Sequence, residues 1–181
     1  MMNNSENINN VIIRKATIQD VPEVCKIQVD GCCKTYKGII LDDYLSSLKS
    51  NIEEKIQETI KWFNEDKISK RFVVALEDEI IACFSLIFPS KTPNNIEADV
   101  QLSDMYVKNE YTGLGIGTKI FEFIKDFLLS KDKNTLCAWC FKDNINAFNF
   151  YKKKGGVVKK EVLKTISDNE YTVVCFYYEF L

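Results

Sequence analysis

Hydrophobic and polar residues in the first third of the chain recur at spacings that predict one strand and then three helices. Val11 to Ala16 has a strand-like pattern, and Asp20 behind it is suited to cap a helix that tolerates Pro22 in its first turn. The apolar stripe of that helix contains Val21, Val24, Cys25, Val29, Cys32 and Cys33. A short helix is predicted in "LDDYLSSL", and an amphipathic helix from Ile52 to about Glu65.

The remaining pattern alternates between strands and helices. "RFVVALE" and "IIACFSLIF" are apolar enough to be covered on both faces, and Asp78 and Glu79 between them predict an antiparallel hairpin. A loop at "PSKTPNN" comes next. The later elements are a strand from Glu97 to Val107, a helix to about Ser130, a strand from Thr135 to Phe141, a helix from Asn144 to Lys154 and two C-terminal strands. The pattern predicts a mixed α/β fold.

The strand that ends at Val107 has an interrupted alternation. Val100 and Leu102 share one face, but Met105 and Val107 are displaced from them by an odd number of residues. A β-bulge between Leu102 and Met105 would absorb this shift, and it would leave backbone groups that water or a ligand must satisfy. A strand that simply ends early is the alternative explanation.

A glycine-rich junction connects this strand to the next helix. Gly113, Gly115 and Gly117 permit a tight turn, and the free amides at the start of a helix bind phosphate oxygens. A turn without a ligand remains the alternative. The dinucleotide fingerprint would need glycine at Thr118, and a P-loop would need lysine there, so both of those motifs are excluded.

Length, charge and the N-terminal segment limit the class of protein. The 181 residues fit one domain, predicted as residues 11–181 behind a disordered tip at 1–10. A net charge of −2 offers no footprint for nucleic acid, and no apolar run approaches the ~18 residues of a membrane span. The start "MMNNSENINN" lacks the features of a secretory signal, so a cytoplasmic location is expected.

The cysteines and the missing histidine exclude several chemistries. The chain has seven cysteines and no histidine, so neither a Ser-His-Asp triad nor a Cys-His pair is available. Cys137 and Cys140 have CxxC spacing, but residues three apart on a strand point to opposite faces. No second CxxC is present to complete a zinc site. We therefore predict core cysteines and no bound metal.

Two motifs in their order and spacing resemble the GNAT (general N-acyltransferase) superfamily. The acyl-CoA loop of that family reads Arg or Gln, two free positions, Gly, one free position, then Gly or Ala, and Thr112, Gly115 and Gly117 occupy those places. The segment "NINAFNFYKKKGG" is similar to a downstream family motif through Asn144, Ala147, Tyr151 and Gly155. Thr112 departs from the first motif, and Gly156 replaces the usual Phe of the second. The opening "IRKATIQDVPEV" also looks like the family's first strand and helix.

The resemblance implies a fold and a co-substrate. The expected fold is a mostly antiparallel central sheet of about six to seven strands with a bulged, splayed pair and flanking helices. The co-substrate would be acetyl-CoA, with its pantetheine arm on the backbone of Met105 and Val107. Its pyrophosphate would lie on the amides from Gly113 to Thr118, and Asn144, Ala147 and Tyr151 would form the other wall.

The resemblance also implies direct attack by a primary amine, which needs no metal. With a lysine-like pKa of ~10.4 the amine must first lose a proton, and a carboxylate is the natural acceptor in a chain without histidine. Gln101 stands where the family often has Glu, so we rank Asp99 first and Asp104 second as the general base. Tyr151 matches the family's usual acid for the departing thiolate, and Tyr36 is expected on the acceptor side. Structural carboxylates and packed tyrosines are the alternatives.

Other functions and partners remain open on the sequence. A non-catalytic acyl-CoA-binding or sensing module would keep the glycines and lack a base, and a dinucleotide-binding oxidoreductase is a more distant alternative. The acceptor is a small-molecule or peptide amine, and neither nucleic acid nor membrane is expected as a partner. The apolar end "YTVVCFYYEFL" fits either an edge strand that pairs in a homodimer or a buried strand.

Overall fold

The computed structural model describes residues 10–63, 65, 69–88 and 96–181. The predicted loop at 89–95 and residues 1–9 of the predicted tip lie outside the described residues. In the part that is described, no helix is long and apolar enough to cross a membrane.

Among the residues that the structure describes, five α-helices form where the apolar spacing predicts them. They are α1 (Val21–Thr35), α2 (Asp42–Ser50), α3 (Ile52–Phe63), α4 (Ile116–Leu129) and α5 (Ile145–Lys153). A 3₁₀ turn at Ile18–Asp20 precedes α1, and Asp20 is the residue before its first turn, as predicted. Pro22 lies within that first turn, where the missing backbone donor costs nothing.

Seven strands within the described ranges form one sheet in the order β1-β2-β3-β4-β5-β7-β6. They are β1 (Ile12–Lys15), β2 (Ser69–Leu76), β3 (Glu79–Ile87), β4 (Val100–Val107), β5 (Thr135–Phe141), β6 (Val157–Ile166) and β7 (Asn169–Glu179). Every pair is antiparallel except β4 with β5. The expected mostly antiparallel sheet is confirmed, and the C-terminal segment is an inner strand because β7 lies between β5 and β6.

Helices cover both faces of the sheet. On one face, Phe72 and Val74 belong to the large core cluster with Ile120 and Ile124 of α4. On the other, Val73 packs with Val24 and Ile27 of α1. Since Val73 and Val74 are both 0% exposed, the prediction that β2 is covered on both faces is confirmed.

The CxxC pair diverges as predicted. Cys137 packs with Ile96 and Cys175 on the α1 side, whereas Cys140 belongs to the core cluster on the α4 side. All seven cysteines are free thiols. Among the described residues no group of three or more His, Cys, Asp or Glu side chains is placed to hold a metal ion.

Candidate active site

The interrupted alternation in β4 is a β-bulge. Asp104 lies opposite Ser85 and Leu102 lies opposite Leu86, so Ser103 is the additional residue. The bulge falls between Leu102 and Met105, where the sequence predicts it, and it reverses which face of the sheet the following side chains occupy. The alternative of a strand that ends early is wrong, because pairing with β3 continues to Val107.

Beyond the bulge, β4 separates from β5. The two strands pair only from Val100 to Leu102, and β5 then continues beside β7 alone. The amide of Lys108 donates to the carbonyl of Ile81 in β3 at 2.8 Å, which fixes the alternation of the peptide groups. The peptide groups of successive residues in a strand point to alternate edges. Val107 and Met105 lie one and three positions before Lys108, so their peptide groups point away from β3 and into the gap. No described strand pairs with this edge.

A cavity of about 570 Å³ occupies this gap. It brings together most of the predicted site residues, namely Tyr36, Met105, Val107, Thr112, Gly113, Asn144, Ala147 and Tyr151. Because α1 and α5 pack on opposite faces of the sheet, the cavity passes from one face to the other through the gap. The predicted residues Gly115, Gly117 and Thr118 do not line it directly and belong to the start of α4 next to Gly113.

The glycine turn leaves the start of α4 open to a ligand. Gly113 and Gly115 have φ angles of +79° and +87°, a region that other residues rarely adopt. No side chain in the described part of the protein caps the helix, and its first internal bond runs from the Lys119 amide to the Gly115 carbonyl. The amides of residues 116–118 are therefore free of helical partners and suited to an anion. An added Cβ on Gly117 would lie 3.3 Å from Cε2 of Phe150, so glycine here also lets α5 approach.

Thr112 has a structural role in the same turn. Its hydroxyl donates to the Asn109 carbonyl at 2.7 Å, and its amide donates to the same oxygen at 3.2 Å. Both of its hydrogen-bond donors are therefore engaged, although the residue lines the cavity.

Asn144 sets the position of α5. Its side-chain oxygen accepts a hydrogen bond from the Ala147 amide at 3.1 Å, which caps the helix, and Asn144 is 7% exposed. The helix then presents Ala147, Phe150 and Tyr151 to the cavity. The Asn-x-x-Ala spacing of the sequence is thus the spacing of a helix cap.

Tyr151 lies deep in the cavity wall and is 7% exposed. Burial raises the pKa of its hydroxyl well above the ordinary tyrosine value. Its ring packs on Phe176 with centroids 5.7 Å apart, and its carbonyl accepts a bond from the Tyr178 hydroxyl at 2.9 Å. Within the described residues the Tyr151 hydroxyl has no hydrogen-bond partner, so it remains available to a ligand.

Asp104 is the carboxylate at the bulge. Burial raises the pKa of Asp104, although hydrogen bonds from Ser85 and Gln28 favour the charged form. The Gln28 amide nitrogen lies 3.3 Å from Oδ1 of Asp104. Asp104 also lines a second cavity of about 180 Å³ beneath α1 and α3, so it stands in the wall between two cavities.

The structure does not bring Asp99 to the cavity. Burial raises the pKa of Asp99, but hydrogen bonds from the Asn134 amide, Thr135 and Lys133 outweigh this and leave the pKa lowered. Both carboxylate oxygens are used, Oδ2 by the two amides and the Thr135 hydroxyl and Oδ1 by Lys133 at 3.2 Å. Asp99 precedes β4 and ties its start to that of β5, so we no longer assign it the role of base.

Several lining residues have no counterpart among the predicted ones. They are Gly31, Lys34, Thr35, Ser103, Tyr106, Asn109, Trp139, Cys140, Asn146 and Phe150. Burial raises the pKa of Cys140 to about 11, so its thiol is protonated at neutral pH and is no nucleophile. Tyr36 packs edge-on against Phe141 at 4.9 Å on the α1 side. The only sequence signal for Trp139 and Cys140 was their place at the end of the strand before Asn144.

Comparisons with known proteins agree with this geometry. The model of the Acetyltransferase (GNAT) family matches residues 39–156. The chain is 28% identical over 137 residues to an uncharacterized N-acetyltransferase of Bacillus subtilis (strain 168), YuaI, covering 74% of this chain and 73% of that one.

Solved structures share the fold. The PaiA N-acetyltransferase of Thermoplasma acidophilum, in complex with coenzyme A, is 20% identical, with a TM-score of 0.70 over 94% of this chain and 99% of that one. The spermidine/spermine N-acetyltransferase SpeG of Vibrio cholerae is 14% identical, with a TM-score of 0.65 over 93% of this chain and 92% of that one.

Proposed function

Because the chain belongs to the acetyltransferase (GNAT) family and is therefore an acetyl-CoA-dependent N-acetyltransferase, we propose that it transfers the acetyl group directly to a primary amine in the cavity between β4 and β5. The observation that carries the proposal is the gap itself. Unpaired peptide groups of Met105 and Val107 open onto one cavity that also contains Asp104 and Tyr151. Because the chain belongs to the acetyltransferase family, the alternative of a dinucleotide-binding oxidoreductase is rejected.

The residues present fit coenzyme A. The peptide groups of Met105 and Val107 are suited to pair with the amides of a pantetheine arm, in the way that an added strand would. Within the predicted segment Gly113 to Thr118, the amides of residues 116–118 are free of helical partners and suited to its pyrophosphate, while Asn144 and Ala147 form the adjoining wall. Thr112 contributes by shaping the turn, since its donors are engaged.

The reaction needs one proton acceptor and one donor. The amine nitrogen attacks the thioester carbonyl carbon, so that a C–N bond forms and the C–S bond breaks. Asp104 takes the proton that the amine loses, and the Tyr151 hydroxyl gives a proton to the departing thiolate. The Met105 amide donates to the carbonyl oxygen as negative charge develops on it. Gln101 takes no part as a base, because an amide accepts no proton at neutral pH.

Burial affects the two groups differently. The raised pKa of Asp104 makes it a stronger base than an ordinary carboxylate. The raised pKa of Tyr151 keeps its hydroxyl protonated at neutral pH and makes it a weaker acid than an ordinary tyrosine, so its assignment as proton donor rests on its position in the cavity. Tyr36 lies on the α1 side of the gap, where the acceptor would enter.

An assay of thiol release with a panel of amines tests the proposal. Small primary amines, polyamines, amino acids and peptide N-termini are supplied with acetyl-CoA, and the acetylated product is identified by mass. At least one class should accelerate release of free CoA well above hydrolysis. Release that no amine accelerates, together with tight CoA binding, would instead support a non-catalytic binding module.

The oligomeric state and the location remain predictions. If a homodimer forms by strand pairing, β6 rather than β7 is the strand available at this end of the sheet, and the particle mass in solution tests this. A cytoplasmic location is likewise an expectation, to be checked by fractionation.

A further inference from the structure

A close contact with β4 sets the position of α1 at the cavity wall. At Gly31, α1 approaches β4 so closely that an added Cβ would lie 2.6 Å from Cδ1 of Tyr106. Lys34 follows three residues later, on the same side of the helix, and also lines the cavity. The packing of Gly31 on Tyr106 therefore determines where the Lys34 side chain begins.

Only two charged side chains are found among the described residues that line the cavity, Lys34 and Asp104. In the part of the chain that is described, Lys34 has no ion-pair partner. Lys108, by contrast, forms ion pairs with Glu23 and Glu79. The Lys34 ammonium is therefore available to an anionic group of a ligand.

Neighbouring basic residues act in the same direction. Lys55 of α3 is close enough to Asp104 to favour its charged form, and Lys164 of β6 acts in the same way on Cys32. Lys49 of α2 favours the charged form of Cys33, whereas Asp30 disfavours it. Lys49, Lys55 and Lys164 therefore add positive potential near the α1 wall, whereas Asp30 and Asp104 reduce it.

We propose that the preferred acceptor is an amine that also carries a carboxylate, and that Lys34 binds this carboxylate while Asp104 receives the amine. The inference rests on the proposed function and names its substrate class. A polyamine would instead bring an additional ammonium group next to Lys34. Lys34 lies on the α1 face, opposite the glycine turn and α5, so its role concerns the acceptor rather than acetyl-CoA.

Matched acceptors test the inference. Amino acids and short peptides are compared with their carboxamides, which keep the amine and lose only the negative charge. We expect kcat/KM for the carboxylate to exceed that for the amide by about tenfold or more at low salt, and the ratio to decline as salt screens the pair. Lys34→Gln should reduce the ratio to about one, and Lys34→Glu should invert it.

Lys37→Gln is the matched control, because it removes the same charge from an exposed residue outside the cavity lining and should preserve the ratio. If wild type uses carboxylates and amides equally, or polyamines best, the inference is wrong while the acetyltransfer proposal stands. An increased KM for acetyl-CoA in Lys34→Gln with an unchanged ratio would also overturn it. If none of the amines is acetylated, both proposals fail.

Discussion

At the scale of single residues, Asp104 and Tyr151 owe their raised pKa values to burial. Neither depends on a charged partner for its raised pKa, because desolvation is the largest cause in both cases. Asp99 and Asp104 lie on the same short segment and differ only in their surroundings. Asp99 is surrounded by hydrogen-bond donors, whereas Asp104 lies at the bulge facing the cavity.

Replacing Asp104 separates activity from stability. Asp104→Asn should lower kcat/KM by about 10²-fold, since it removes the proposed proton acceptor. Between the ordinary Asp pKa and the raised folded value, the native chain holds a proton that the unfolded chain has lost, so stability declines as pH rises. The variant should therefore melt at a higher temperature than wild type at pH 7, and this difference should disappear near pH 3.

Asp99→Asn is the matched comparison for Asp104→Asn. The pKa of Asp99 is lowered, so the ionised form of Asp99 stabilises the fold. The variant should therefore melt at a lower temperature than wild type at pH 7 and keep its kcat. Melting curves from pH 3 to 8 and steady-state kinetics check both variants. If only Asp99→Asn lost kcat, Asp99 rather than Asp104 would be assigned as the general base.

Removing the Tyr151 hydroxyl should slow the departure of the thiolate. Tyr151→Phe keeps the ring against Phe176 and should lower kcat by about 10- to 100-fold while changing KM for acetyl-CoA little. Tyr44→Phe removes a hydroxyl from α2, outside the cavity lining, and serves as the control. A Tyr151→Phe enzyme with kcat within threefold of wild type would mean that this residue is only a packed tyrosine.

At the scale of elements, the glycine turn combines a backbone conformation that favours glycine with a proposed role in ligand binding. Gly115→Ala places a side chain at φ +87° and should destabilise the fold by about 1–2 kcal/mol, and it should also raise KM for acetyl-CoA. Gly155 has the same φ of +87° and the same open surroundings, so Gly155→Ala should show the stability loss alone. Urea unfolding and steady-state kinetics measure the two effects. Equal KM values in both variants would argue against a binding role for the turn.

The start of α1 depends on an ion pair. Hydrogen bonds from Arg14, opposed by burial and assisted by Thr17, lower the pKa of Asp20 to about 2, and the Arg14 Nη1 to Asp20 Oδ2 distance is 2.6 Å. Because the pKa of Asp20 is lower in the folded chain, its ionised form stabilises the fold at pH values above the ordinary pKa of 3.8. This contribution is lost as the pH falls towards about 2.

Asp20→Asn should accordingly lower the free energy of unfolding at pH 7 by about 1–2 kcal/mol, a figure reduced because Arg14 is partly exposed. Urea unfolding at pH 7 and pH 2.5 checks this, with the exposed Asp42→Asn as control. A deficit that persists undiminished at pH 2.5 would show that it does not come from the charge of Asp20.

At the scale of the whole molecule, binding in the gap should link two parts of the sheet. A ligand between β4 and β5 replaces the missing pairing, and at a concentration of 100 times Kd it adds about 2.7 kcal/mol of stability. Coenzyme A and acetyl-CoA should then raise the melting temperature by about 5–10 °C, and NAD should not. An equal shift with NAD would contradict the assignment of the cavity.

Some features were predictable because they are encoded locally. The odd step between Leu102 and Met105 indicates the bulge, since a strand has a period of two residues. Gly113 and Gly115 predict the turn, because few other residues adopt positive φ. The family motifs pointed to Asn144 and Tyr151, which line the cavity.

Other features were not local. The inner position of β7 depends on strand order, which the order along the chain does not reveal. The choice between Asp99 and Asp104 depends on Lys133, Asn134 and Thr135, more than thirty residues away from Asp99. Lys34 carried no signal at all, because only the packing of α1 on β4 directs it to the cavity.

The sequence by itself determined the elements, the bulge, the glycine turn and the family resemblance, because each follows from periodicity, allowed φ angles or residue spacing. Only the tertiary structure decided which carboxylate faces the gap and that Lys34 lines the cavity. The physical reason is that pKa and accessibility are set by groups from distant segments, and these groups meet only when the sheet and helices pack.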